Sequence, residues 1–157
     1  MLRIVTHTHL AYSVEQVWTV LSDLRRYAEW NPLNVAADGE VQTNAPVTMA
    51  FVDPGHAGRV MRQVVRITAA DPPRKLEWLG RIPILFSGRH FFELTPRENG
   101  TDLEHGELIS GLVPALWSKS RIELQRRAYE HLNEALARRL QHIFGGAGRQ
   151  VRNRPSL

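Results

Sequence analysis

The 157-residue chain contains no cysteine. Disulfides, thiolate metal centres and cysteine nucleophiles are therefore excluded, and a reducing compartment is compatible with the composition. No apolar run approaches the roughly 20 residues a membrane-spanning helix needs. The stretch Met1-Leu-Arg-Ile-Val-Thr-His-Thr-His9 alternates like a strand and does not read as a signal peptide, so a cytoplasmic location is the expectation. No internal repeat and no second domain are visible, and no side chain stands out as a nucleophile.

What is present is ordinary for a soluble globular domain: 43% hydrophobic and 23% charged residues. The length suits one domain with a real core. Residues 1–146 read as that domain and 147–157 as a basic, flexible tail. The net charge is +4, and Arg149, Arg152 and Arg154 of the tail supply three positives. In the closing helix Glu123 precedes Arg127 and Glu134 precedes Arg138 by one helical turn, the favourable order for exposed pairs. The basic balance thus reads as a solvated helix face plus a tail, and not as a nucleic-acid surface.

The order of elements follows from periodicity and punctuation. Residues 3–10 alternate as a strand. Ser13-Val-Glu-Gln16 is a capping box opening a helix with Val14, Val17, Trp18 and Leu21 on one side. Asp23 is positioned to cap a second short helix through about Tyr27, and Pro32 ends it. Strands are expected at 35–42, 47–52, 59–69 and 75–80, with turns at Asp53-Pro-Gly55 and Asp71-Pro-Pro73. Residues 84–95 and 101–110 form a hairpin around Pro96 and Asn99-Gly100. The segment 80–88 is apolar for a connection and reads either as an entrance lid or as the start of the next strand. A helix over about 116–143 carries the stripe Leu124, Ala128, Leu132, Ala135, Leu136, Leu140 and Ile143, and Gly145-Gly146 stops it. Consecutive strands on short turns imply an antiparallel meander.

Taken in order, several segments resemble the START-like (SRPBCC) superfamily, in its polyketide cyclase/dehydratase-like branch. They are Leu10–Trp18, Asp23–Pro32, Lys75–Gly80, His90–Pro96 and Gly100–Gly111. The resemblance implies an α+β helix-grip: a curved seven-stranded antiparallel sheet wrapped around a long C-terminal helix, with two short helices between the first two strands. It also implies a cavity for a lipid-like, polyketide-like or aromatic molecule, and no cofactor.

Strand parity then selects candidate groups. Arg89 and Glu93 favour water, which turns Phe86, Gly88, His90, Phe92 and Leu94 inward. Asp102 and Glu104 favour water, which turns Leu103, His105, Glu107 and Ile109 inward. If pairing about the 96–101 loop sets Leu94 opposite Leu103, Phe92 faces His105 and His90 faces Glu107, while another register makes the His–Glu relation diagonal and leaves both on the pocket face. The expectation is an inward cluster of His90, His105 and Glu107 in an apolar wall. Three readings stay open: an acid–base set for cyclisation or dehydration, a patch orienting ligand oxygens, or a polar cluster satisfied by itself and water. Zinc is chemically conceivable on these groups but is not expected, because strand pairing brings them together without an ion. Trp30 and Trp78 are candidate pocket walls with Phe92 and Leu103, and Asn31 caps or orients the corner beside Trp30. His7 and His9 share the outer face of the first strand. The expected function is binding of a small hydrophobic or aromatic molecule. The alternatives are a cyclase or dehydratase using the His/Glu set, and an accessory protein acting through protein contacts.

Overall fold

The structure, a computed structural model, describes residues 1–56 and 58–146. The tail expected at 147–157 lies outside them. The elements run β1 (Leu2–Leu10), α1 (Val14–Ser22), a 3-10 helix (Leu24–Glu29), β2 (Asn34–Gly39), β3 (Pro46–Val52), β4 (Val60–Asp71), β5 (Lys75–Ile82), β6 (Phe86–Arg97), β7 (Gly100–Ser110), α2 (Leu112–Ala115) and α3 (Lys119–Phe144). The strands make one antiparallel sheet in the order β1-β7-β6-β5-β4-β3-β2. Its inner face packs on α1 and α3, the helix-grip that the resemblance implies.

Local chemistry explains most boundaries. The Ser13 hydroxyl accepts from the Gln16 N–H, and the Gln16 side chain accepts from the Ser13 N–H, closing the capping box. Asp23, by contrast, makes no capping bond. The segment after it winds as a 3-10 helix, and its carboxylate pairs with Arg26 at 3.3 Å. The closing helix does not run unbroken from 116. Ser118 caps α3 by accepting from the Arg121 N–H, so α2 stands apart as a single turn. At 26 residues, α3 is about 39 Å long.

The rotation of α3 differs from the apolar stripe. Leu124 and Ile143 stand exposed, while the buried face is Tyr129, Leu132, Asn133, Ala135, Leu136 and Leu140. Two polar side chains therefore enter the interior on the helix. The 80–88 segment resolves into a tight turn: β5 runs through Ile82, β6 begins at Phe86, and Ile84 and Leu85 are exposed between them.

Candidate functional site

The β6–β7 register sets Leu94 opposite Leu103, Phe92 opposite His105 and His90 opposite Glu107. β5 adds Trp78 opposite His90. The result is two stacked pairs on neighbouring strands. Trp78 and His90 lie with ring centroids 4.6 Å apart and planes at 13°. Phe92 and His105 lie 4.4 Å apart at 15°.

The two imidazoles meet, Nε2 to Nε2, at 3.0 Å. His105 Nδ1 reaches Asn133 Oδ1 at 2.7 Å. The Asn133 amide donates to the Thr6 hydroxyl at 2.9 Å and the Thr8 hydroxyl at 3.1 Å, and Thr6 donates to the His105 carbonyl at 3.0 Å. These partners assign the protons. The Asn133 nitrogen is committed as a donor, so its oxygen must accept and His105 carries its proton on Nδ1. His105 Nε2 is then an acceptor, and His90 donates to it from Nε2. His90 Nδ1 is left with a lone pair and no protein partner among the described residues.

Burial enforces neutrality. His90 is pushed well below the ordinary imidazole value by burial and then by His105. His105 falls to about 4 through burial, opposed by its bond to Asn133. Two neutral rings at neutral pH are what the one-way chain of hydrogen bonds requires.

Glu107 behaves in the opposite sense. Burial raises its carboxyl to about 7, and the hydrogen bond from the Tyr129 hydroxyl works against that rise. Tyr129 is itself held well above the usual phenol value by burial and by Glu107. The second carboxylate oxygen of Glu107 lies over Gly88, where an added β-carbon would come within 2.1 Å of it. Gly88 is paired across the strands with Gly80. The two glycines thus make room on the inner face for the Glu107 carboxyl, the Phe86 ring and the Gln63 amide, and that carboxyl can gain or lose a proton near neutral pH.

His105 is sealed: it and Phe92 are 0% exposed, Trp78 is 2% exposed, and Tyr129 and Asn133 from α3 close over it, whereas His90 keeps 7% exposure. Beside His105 the polar face of α3 packs where a hollow was anticipated. Two concavities, of about 370 and 360 Å³, are lined by Tyr12, Pro96 and Asn99 and by Pro46, Val64 and Leu79 respectively, and neither reaches the cluster. The inner face does open at one end. Past the Trp78–His90 row, inward-facing Gln63, Phe86 and Glu107 are only half-buried, and Met61 and Ile82 are exposed. Glu107 is the member of the cluster at this mouth.

The other expected residues sort by position. Leu103 sits in the core at 1% exposure. Trp30 and Asn31 belong to the corner between the 3-10 helix and β2. The Asn31 side-chain oxygen accepts from the N–H groups of Leu33 and Asn34 at 3.0 and 2.9 Å. Trp30 sets its edge on Tyr27, with centroids 5.3 Å apart. Trp30 Nε1, Asn31 Nδ2 and Asn34 Nδ2 are buried with no partner among the described residues. His7 and His9 are exposed on the outer face, with His9 on Asp102 at 2.8 Å. No set of three or more His, Asp or Glu side chains among the described residues is arranged to hold a metal ion. Tyr129 and Asn133 were missed by the strand argument. Their signal was their position: 129, 132, 133, 136 and 140 recur at helical spacing, so both polar groups share a face with leucines.

Comparison with known proteins agrees with this architecture. A START superfamily protein from Mycobacterium smegmatis superposes with a TM-score of 0.74 at 16% identity, over 90% of this chain and 98% of that one. The di-domain ARO/CYC StfQ from the steffimycin biosynthetic pathway gives 0.66 at 15% identity, over 93% of this chain and 51% of the other. DynU16 from the dynemicin biosynthetic locus gives 0.68 at 17% identity, over 91% and 48%. At such identities these likenesses show the fold. No curated protein matches the chain in sequence. The family described as polyketide cyclase / dehydrase and lipid transport matches residues 1–141. The chain belongs to that family.

Proposed function

We propose that this protein binds a small hydrophobic or aromatic molecule bearing oxygen, at the open end of the inner sheet face. The ligand lies against Gln63 and Phe86, the side chains that cover Gly80 and Gly88, with Glu107 as its polar contact. The observation that carries this reading is Glu107: a carboxyl raised to about 7, hydrogen-bonded on one oxygen only, at the mouth of an otherwise apolar wall. Half protonated near neutral pH, it can donate to a ligand carbonyl or accept from a hydroxyl. Trp78, Phe92 and Leu103 form the floor behind the site. Trp30 and Asn31 contribute from the corner, where the orphaned donors of Trp30, Asn31 and Asn34 suit an acceptor oxygen or a water.

The family match supports a second reading, cyclisation or dehydration of a polyketide-like substrate. In it Glu107 delivers and recovers a proton, and the free Nδ1 lone pair of His90 serves as acceptor, with His105 and Asn133 holding its tautomer. Native mass spectrometry of protein purified from its own host tests the first reading. A co-purified mass that E107Q retains less well is expected. A protein free of small molecules, and indifferent to aromatic polyketides and lipids in titration, would refute it. Binding retained but turnover lost in E107Q would favour catalysis.

A further inference from the structure

The open end carries an unusual surface. Of the twelve large hydrophobic side chains exposed among the described residues, ten belong to this end of the molecule, and only Val64 and Ile143 lie elsewhere. The most prominent come from two adjacent tips. The β5–β6 turn presents Ile82, Ile84 and Leu85 at 48%, 80% and 47% exposure, and α2 presents Leu112, Val113 and Leu116 at 59%, 47% and 87%. The tips are tied together: the Leu112 N–H donates to the Ile84 carbonyl at 3.2 Å, and the Val113 N–H to the Leu85 carbonyl at 3.0 Å.

Ile84 adopts φ 65°, a left-handed conformation that a β-branched residue takes up only at a cost. Glycine would relieve that strain. Instead an isoleucine stands there, four-fifths exposed, with no burial inside the fold to offset it. The two tips themselves carry basic charge: residues 81–89 and 112–121 hold Arg81, Arg89, Lys119 and Arg121, while the carboxylates Asp53 and Glu107 stand at the same end outside the tips. Arg89 and Arg121 answer Glu77 and Asp53, but Arg81 and Lys119 have no acidic partner among the described residues.

We propose that this end docks on a membrane surface carrying anionic lipid. Ile84 and Leu116 enter the acyl boundary, while Arg81 and Lys119 meet the headgroups. The apolar side chains stand out from two tips and line neither of the two concavities described above, which suits insertion into a soft bilayer better than a fit into a protein partner. Docking in this pose turns the mouth beside Glu107 toward the lipid.

Sedimentation with phosphatidylcholine vesicles, with and without phosphatidylglycerol, tests the proposal on the full chain. The protein partitions to the anionic vesicles, and added salt weakens the binding. Each inserted aliphatic side chain contributes roughly tenfold, so I84E/L116E should lose on the order of 100-fold. Ile84→Gly supplies an independent check: its melting temperature holds or rises as strain is relieved, yet its partitioning falls. A variant with Arg149, Arg152 and Arg154 all changed to Ser should keep most of its binding. The proposal is overturned if the wild type ignores anionic vesicles, or if I84E/L116E binds as the wild type does. It is overturned equally if changing the tail alone abolishes binding, or if gel filtration shows a dimer that these substitutions dissociate.

Discussion

Replacing Glu107 by Gln separates the burial of a carboxyl from the burial of its shape. The group rises from an ordinary 4.5 to about 7 in the folded protein. Between those values the native state binds a proton that the unfolded chain releases, so native stability falls as pH rises through the interval. The stabilising difference is fully present below about pH 4.5 and is lost above pH 7. A shift of that size corresponds to about 3 kcal/mol, and the solvent that still reaches the half-buried carboxyl brings the expected loss to about 2 kcal/mol. Glutamine keeps an oxygen for the Tyr129 hydroxyl but cannot ionise. Urea unfolding followed by tryptophan fluorescence should therefore show E107Q and wild type with similar stability near pH 5. At pH 8 the variant should be ahead by about 2 kcal/mol, or roughly 6 °C in melting temperature for a domain of this size. The two buried histidines act on the other limb. Their depressed values make stability fall as pH drops below about 6.5 toward 4, and they do so equally in both proteins. Parallel pH curves for the two proteins, or a carboxyl carbon resonance of Glu107 titrating near 4.5, would refute the reasoning.

Two further changes probe the same architecture. Asn133→Ala leaves His105 Nδ1 and the Thr6 and Thr8 hydroxyls without their buried partner, and should cost about 2–4 kcal/mol in chemical denaturation. It should also release the fixed imidazole tautomers, visible in nitrogen-15 correlation spectra of the histidine rings. Gly88→Ala drives a methyl into the Glu107 carboxylate and the Phe86 ring. It should lower stability by about 1–3 kcal/mol and displace the Glu107 carboxyl resonance, whereas Gly58→Ala on the surface should not move that resonance.

The candidate site was legible wherever a period of two operates. Arg89, Glu93, Asp102 and Glu104 could be left in water only by turning His90, His105 and Glu107 inward. The Asn99-Gly100 turn left two registers open, and β6 and β7 take the one that sets His90 opposite Glu107. Strand alternation is a local rule, so chain order suffices to apply it. Asp23 was misread for a related reason. A capping residue is recognised locally, but whether the next turn is α or 3-10 depends on how Leu24 and Tyr27 bury against the sheet.

The helix was harder. A stripe of leucines on α3 is wide enough to allow several rotations, and the sequence does not say which flank meets the sheet. Packing against β1 and β7 chose the flank bearing Tyr129 and Asn133. That choice joined two histidines into a one-way hydrogen-bond chain, gave Glu107 its single partner, and filled the space beside His105. The sequence by itself determined the strands and the inward direction of three titratable groups, because each follows from neighbours a few residues away. Only the tertiary structure decided their protonation, since the desolvation that sets it comes from side chains distant in the chain.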